Sequence, residues 1–145
     1  MADDLDWAAQ RREAAAANAE RADRARAADV AAARELVAGF VRDARARGLA
    51  SEELLVRAGE GPSTYRCGLT GWYLRRDGSL AITEAGEMYV LTAPRSLRSR
   101  ISGVRLEPTE PRTQAGIGAR DGESIALDSL LALRLAAGDD WPIVR

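Results

Sequence analysis

Residues 4–48 constrain the fold of this chain more than any other stretch. They contain no proline and one internal glycine, Gly39, among alanine, arginine and glutamate residues that favour helix. This composition predicts one long helix that ends at Gly48, because glycine readily takes the left-handed conformation of a helix C-cap. Aspartates at its start and arginines at its end suit the helix dipole: Asp3, Asp4, Asp6, Arg42, Arg45 and Arg47.

The two halves of the predicted helix differ in what they can bury. The second half carries apolar residues at spacings of three and four, a stripe that can pack on a core: Val30, Ala33, Val37, Phe40, Val41 and Ala44. The first half has no apolar side chain larger than alanine between Trp7 and Val30. Its candidate interface residues form a shallow stripe: Trp7, Ala8, Ala15, Ala19, Ala22 and Ala25.

Two interpretations of this alanine-rich half compete. It could be a solvated extension, stabilised by helix propensity and by pairs such as Glu20 with Arg24 at the i,i+4 spacing. Alternatively, its small side chains let another helix approach closely, either in a second copy or in a partner protein. We predict the second role, because the helix lacks the apolar side chains that would justify it within a monomer.

The chain after Ser51 changes to a pattern of short elements. The sequence Ser51-Glu52-Glu53-Leu54 resembles a capping box and predicts a short helical turn through about Arg57. Residues 65–67 and 71–76 are expected to be extended, and Asp77-Gly78 predicts a type I′ hairpin into residues 79–83. A second turn at 84–86 then leads into residues 87–92, which completes a three-stranded antiparallel meander over 71–92.

Both faces of this meander carry apolar residues. Alternation predicts one face with Trp72, Leu74, Leu80, Ile82, Met88 and Val90 and another with Tyr73, Tyr89 and Leu91. We expect the long helix to cover one face, and loops or a partner surface to cover the other.

The last third predicts further short elements. A strand is expected at Val104–Glu107, a loop at 108–111, short strands at 114–118 and 124–127, and a turn at 120–123. Asp128 should cap a helix over 129–137 that ends at Gly138. The fold class is therefore α+β: a long N-terminal helix packed on a small, mostly antiparallel sheet, with a short C-terminal helix. We divide the chain into a helix at 1–49 and an α+β domain at 50–145 that shares its core with residues 30–49.

The amino-acid composition lacks most of the usual catalytic side chains. The chain has no histidine, all 21 of its basic residues are arginine, and Cys67 is its only thiol. Common general-base, Schiff-base and zinc chemistries therefore have no candidate residue, and we expect a non-enzymatic protein without cofactor or metal. Cys67 fits a small buried hydrophobe better than a reactive thiolate. An acidic N-terminus and the lack of a long apolar run predict a cytoplasmic protein with no membrane contact.

Arginine is the one basic residue used, which coding bias in a GC-rich genome explains. An alternative function is the binding of nucleic acid or another anion, because arginines outnumber acidic residues between Tyr65 and Leu106. Trp72, Tyr73 and Tyr89 lie among these arginines and could stack on bases. The candidate ligand residues of this region are Arg75, Arg76, Arg95, Arg98, Arg100 and Arg105.

A second polar cluster lies at Arg120, Asp121 and Glu123. It fits a charged β-turn, and it is also the place where a small-molecule cleft would have its polar groups. The nearby glycines Gly116, Gly118 and Gly122 do not open directly into a helix, so they do not indicate a dinucleotide site.

Two segments, Thr70–Asp77 and Gly118–Ser124, resemble parts of an uncharacterised family of small cytoplasmic proteins from GC-rich bacteria. The resemblance covers about the second half of the chain. It implies no activity and therefore assigns no functional residues.

Overall fold

The computed structural model describes residues 2–59, 62–93, 105–116 and 124–144 and has an α+β fold. Its helices are α1 (Ala2–Ala46) and α2 (Leu127–Ala137). Its strands are β1 (Glu52–Ala58), β2 (Thr64–Tyr73), β3 (Leu80–Thr83), β4 (Met88–Val90), β5 (Thr92–Ala93), β6 (Gln114–Gly116) and β7 (Ser124–Ala126). No helix in the described part of the chain is both long and apolar enough to cross a lipid bilayer.

The end of α1 is a Schellman motif. Gly48 has a φ of 66°, its amide donates to the carbonyl of Arg45 at 3.1 Å, and the amide of Leu49 donates to the carbonyl of Ala44 at 2.8 Å. These bonds satisfy carbonyls that a helix end leaves free. The prediction of one helix that terminates at Gly48 is therefore confirmed.

Five strands form a mixed sheet in the order β4-β3-β2-β1-β5. The pairs are antiparallel except for β1 with β5, which is parallel. The two outer strands are consecutive in the chain and meet at Leu91. Its amide donates to Ser79 next to β3 at 2.8 Å, and its carbonyl accepts from Arg57 in β1 at 2.9 Å. The ladder therefore closes into a small, barrel-like sheet. Strands β6 and β7 form a separate antiparallel pair.

The closed sheet separates two hydrophobic clusters. The outer cluster joins the second half of α1 and the helix α2 to one sheet face, with members that include Val37, Phe40, Trp72, Ile82 and Leu130. The inner cluster fills the curved sheet with Leu54, Val56, Tyr73, Ala81, Tyr89 and Leu91, and Trp141 and Ile143 of the C-terminal tail pack against it. The helix covers one face as predicted. The second face is closed by the curvature of the sheet and by the C-terminal tail, which is the loop alternative of the prediction.

Trp72 connects the sheet to the helix. Its indole Nε1 donates to the carbonyl of Leu49 at 3.1 Å, and its ring makes an edge contact with Phe40 at 5.8 Å between centroids. The neighbouring Gly71 allows the close strand approach at this point, because a Cβ there would lie 2.1 Å from the carbonyl oxygen of Ile82.

The segment Ser51–Arg57 is a strand and not the helical turn that its capping pattern predicts. Leu54, Val56 and Ala58 alternate inward and are fully buried, and β1 pairs with β2 along most of its length. Burial of three alternating apolar side chains outweighs a local capping preference that is worth about 1 kcal/mol.

The hairpin at Asp77-Gly78 forms, but its turn is not type I′. That turn requires a positive φ at both central residues, and no described residue other than glycine has one. The Asp77 carboxylate instead accepts from the amide and hydroxyl of Ser79 at 2.9 and 2.6 Å.

Three smaller expectations also differ from the structure. Val90 is 46% exposed, because the chain bends there from β3 toward β1. Residues 105–107 are not in a strand, and Val104 lies outside the described residues. Asp128 is in the first turn of α2, whose N-cap is Ala126, so its carboxylate accepts from Ser129 inside the helix instead of capping it. The turn predicted at 120–123 also lies outside the described residues.

Replacing Gly71 by alanine should destabilise the protein by about 3 kcal/mol, since the backbone of Ile82 cannot move away without breaking the ladder. Gly39→Ala is the matched control: its Cβ would lie 3.7 Å from the Arg42 guanidinium, an ordinary contact, and alanine favours helix by about 1 kcal/mol. Urea denaturation followed by circular dichroism measures both. A Gly71→Ala protein as stable as the parent would contradict the close approach.

Candidate functional site

An open groove of about 920 Å³ lies beside α1 and is called here the α1 groove. One wall is the second half of α1. The opposite wall consists of the β3–β4 turn and of the segment 108–111. The lining residues are Arg34, Val37, Ala38, Val41, Arg42, Arg45, Glu84, Ala85, Gly86, Glu87, Met88, Pro108, Thr109, Glu110 and Pro111.

Along α1 the groove has an apolar floor and, above it, a positively charged rim. Ala38 and Val41 recur at helical spacing and lie beside Met88, which reaches the groove from β4. Arg34 and Arg42 are exposed above this floor on the same helix. A helix of this composition presents an apolar strip edged by cations, which suits an apolar and acidic ligand surface.

The β3–β4 turn is held against α1 by polar contacts. Arg45 Nη2 donates to the carbonyl of Glu84 at 2.6 Å, and the hydroxyl of Ser51 donates to the Glu84 carboxylate at 2.5 Å. Gly86 supplies a φ of 83° at the corner of the turn. This wall is therefore preformed, because α1 and the residue before β1 both hold the turn in place.

The segment 108–113 is fastened at both of its sides. Thr109 donates its amide to Met88 at 2.8 Å and so joins β4. Arg26 pairs with Glu110 at 2.7 Å, and Asp29 accepts from Arg112 Nε at 2.7 Å and from the amide and hydroxyl of Thr113. The segment thus spans from the sheet to α1 and forms a fixed wall.

These contacts set the electrostatics of the far wall. The hydrogen bond from Arg26 lowers the pKa of Glu110, and the bonds from Thr113 and Arg112 lower the pKa of Asp29. Burial and a hydrogen bond to Glu87 raise the pKa of Tyr89 to about 12, so its hydroxyl stays a donor to that carboxylate at 2.8 Å.

The acids of the groove therefore have hydrogen-bond partners, whereas Arg34 and Arg42 of its rim form no ion pair among the described residues. Glu84, Glu87 and Glu110 are each bonded to a neighbouring side chain. Arg34 is still close enough to Glu110 for its charge to contribute to the lowered pKa of that carboxyl. The α1 side of the groove is consequently a positively charged edge, with the charge of Arg34 partly balanced by Glu110.

Among the described residues, the arginines predicted to bind a ligand do not come together in one site. Arg75 is partly buried and lies 3.7 Å from Asp77, and Arg76 covers the ring of Trp141 at 4.9 Å. Arg105 is exposed. The other predicted residues lie outside the described parts of the chain: Arg95, Arg98, Arg100, Arg120, Asp121 and Glu123.

The aromatic residues of the alternative nucleic-acid site are not available for stacking on bases. Trp72, Tyr73 and Tyr89 are at most 5% exposed and belong to the two cores. Stacking requires an open ring face, so nucleic-acid binding stays a prediction that rests on arginines alone.

Cys67 behaves as a small, partly buried residue. Burial raises the pKa of its thiol, and its sulfur donates to the carbonyl of Leu54 at 3.2 Å. The neutral thiol is therefore favoured, in agreement with its interpretation as a structural residue. In the described segments, no cluster of three cysteine, aspartate or glutamate residues could hold a metal ion.

The predicted interface residues lie on the exposed first half of α1. Side chains from Asp3 to Ala28 are exposed or half-buried, and Trp7 is 58% exposed. Ala8 is half-buried, whereas the other alanines of the predicted stripe are exposed: Ala15, Ala19, Ala22 and Ala25. Within the described chain, the first hydrogen bond from α1 to another element is that of Arg26 with Glu110. Residues 2–25, called here the arm, therefore extend beyond the domain.

One buried polar residue, Arg134, was not predicted from the sequence. Arg134 of α2 is 3% exposed, and its guanidinium donates to the carbonyls of Tyr73 at 2.8 Å and Gly138 at 2.5 Å. It also lies over the ring of Trp141 at 5.4 Å. Burial lowers the pKa of Arg134, with Glu52 and Asp139 acting in the opposite direction. Its position in the apolar repeat of α2 was the available signal.

Comparisons of the chain with protein-family models, with curated proteins and with solved structures gave no match. The resemblance noted for residues 70–77 and 118–124 therefore stays a prediction.

Replacing Arg134 by methionine should destabilise the protein by about 2 kcal/mol, because it removes two charge-assisted hydrogen bonds to buried carbonyls. Arg12→Met in the exposed arm is the matched control and should change stability by less than about 0.5 kcal/mol. Chemical denaturation measures both. Equal stability of the two variants would show that Arg134 does not join α2 to the sheet.

Asp29 should make stability depend on pH in the acidic range. Its lowered pKa means that the folded state stabilises the ionised carboxylate more than the unfolded chain does. The resulting stabilisation is complete above the ordinary aspartate pKa of about 4 and is lost as pH falls through the lower folded value. Asp29→Asn should therefore flatten the acid limb of a stability-versus-pH curve, whereas Asp43→Asn at an exposed site should not. Parallel acid limbs for both variants would contradict this role of Asp29.

Proposed function

We propose that this protein is a non-enzymatic, cytoplasmic docking module that self-associates or binds a partner protein through the arm of α1. The observation that carries the proposal is the arm itself. It continues α1 for nearly seven turns beyond the first contact with the domain, and most of its side chains are exposed.

Physical reasoning supports a partner for this arm. Most helical stability in proteins comes from packing of one helix face, and the arm makes no hydrogen bond to another element in the described chain. The arm carries two of the large apolar side chains that are exposed in the described chain, Leu5 at 72% and Trp7 at 58%. Its alanines would allow a second helix to approach closely. Contact with another protein surface would therefore stabilise the arm and cover one of these apolar residues.

The composition of the arm favours a regulated or weak association over a permanent one. It contains no repeated leucine or isoleucine that would form a coiled-coil seam. Arginine, aspartate and glutamate cover much of its surface, so charge is expected to determine which surface it binds.

The proposal predicts that association requires the arm. The full chain should show a molar mass that rises above that of a monomer with concentration in light scattering, whereas a chain that lacks residues 1–24 should stay monomeric. The truncation keeps the contacts of Arg26 and Asp29, and a thermal melt by circular dichroism verifies its fold.

A second variant keeps the chain at full length. Ala19→Pro interrupts the arm at a cost of about 3 kcal/mol to that helix, and it should weaken association in the same assay while the domain stays folded. A full chain that remains monomeric at the highest concentration would reject self-association, and association that survives both changes would reject the arm as its site.

A further inference from the structure

We infer that the α1 groove is the binding site for the arm of a second copy of this chain, with Leu5 on the groove floor and the two α1 helices antiparallel. The inference rests on the proposed function and adds to it both the partner and the surface that the arm binds.

The arm cannot enter the groove of its own molecule. Leu5 and Val41 belong to one uninterrupted helix and are about 36 residues apart, which is about 54 Å at the rise of an α-helix. The arm would have to break and fold back to reach its own groove. An occupant of this sequence must therefore come from another molecule.

The arm and the groove lie on the same side of α1. A separation of about 36 residues is about ten helical turns, so Leu5 points in the direction of Val41. Ala9 and Ala38 are about eight turns apart and also share this side. When the groove side of one α1 faces a partner, Leu5 and Ala9 of the same helix face that partner too. Trp7 lies on the opposite side.

This arrangement makes the surface complementary to itself. In an antiparallel pair, Leu5 and Ala9 of one copy lie beside Val41 and Val37 of the other, and the same contacts recur at the other end of the pair. Such reciprocal contacts give a closed two-fold dimer and not an open filament. The small side chain of Ala9 lets the partner helix approach the groove floor closely.

Charge supports the same alignment. Asp6 and Glu13 of the arm are about 10.5 Å apart along the helix, and Arg42 and Arg34 of the groove rim are about 12 Å apart. The antiparallel alignment of Leu5 with Val41 brings Asp6 near Arg42 and Glu13 near Arg34. All four side chains are exposed in the single chain. Arg34 and Arg42, which form no ion pair among the described residues, would therefore each gain one from the second copy.

Charge reversal tests this alignment in the full chain. Asp6→Arg/Glu13→Arg places a basic arm against a basic rim, and Arg34→Glu/Arg42→Glu places an acidic arm against an acidic rim. Each variant alone should dimerise at least roughly tenfold more weakly than the parent in sedimentation velocity. An equimolar mixture should form a heterodimer, because every arm then meets a rim of opposite charge.

A control and three outcomes separate this inference from the proposed function. Asp4→Arg/Arg11→Glu reverses charges on the opposite side of the arm and should leave the dimer unchanged. Recovery of a dimer only in the mixture supports the groove as the binding site. If the arm deletion abolishes association but charge reversal does not, or if the mixture stays monomeric, the arm is a docking element with another site and the inference is wrong. A monomeric parent chain rejects this inference together with the self-association form of the proposed function.

Discussion

The structure depends on the contact that Trp72 makes with the end of α1. Its ring packs on Phe40 inside the outer core, and its indole binds the carbonyl of Leu49, just beyond the helix C-cap. One side chain therefore sets both the distance between helix and sheet and the position of the chain as it enters β1. Gly71 makes the contact possible, since any side chain there would push β3 away from β2. The helix, the first strand and the central hairpin are placed by two neighbouring residues.

The groove is a consequence of this placement. With α1 fixed across one face of the sheet, the β3–β4 turn comes to rest beside it, and Arg45 holds the turn through the carbonyl of Glu84. The segment that contains Glu110 and Thr113 then closes the remaining side by binding both β4 and the middle of α1. Most polar groups of the groove are used in building it. The exceptions are Arg42 and Arg34, which form no ion pair among the described residues, although the charge of Arg34 acts on Glu110.

Hydrophobic periodicity predicted the buried residues correctly where the pattern lies within one helix or strand. The stripe from Val30 to Ala44 and the alternation around Trp72 and Ile82 both reach the core as expected. The pattern at Ser51 failed, because it is equally compatible with a helix start and a strand, and pairing with β2 decided between them. The groove could not be anticipated, since its far wall depends on contacts between residues about 80 positions apart, such as Asp29 with Thr113. The buried Arg134 was missed for the same reason: its carbonyl partner in Tyr73 is on another element.

The uninterrupted course of α1 also limits how its length can vary. Adding or removing one residue in the arm rotates everything before it by about 100° around the helix axis. Such a change would turn Leu5 away from the side that it shares with Val41, although composition and helix propensity would hardly change. Insertions or deletions of about seven or eleven residues nearly restore the direction. Related chains that use the same arm should therefore differ in arm length by whole helical turns, because only such changes keep the direction of Leu5 around the helix axis.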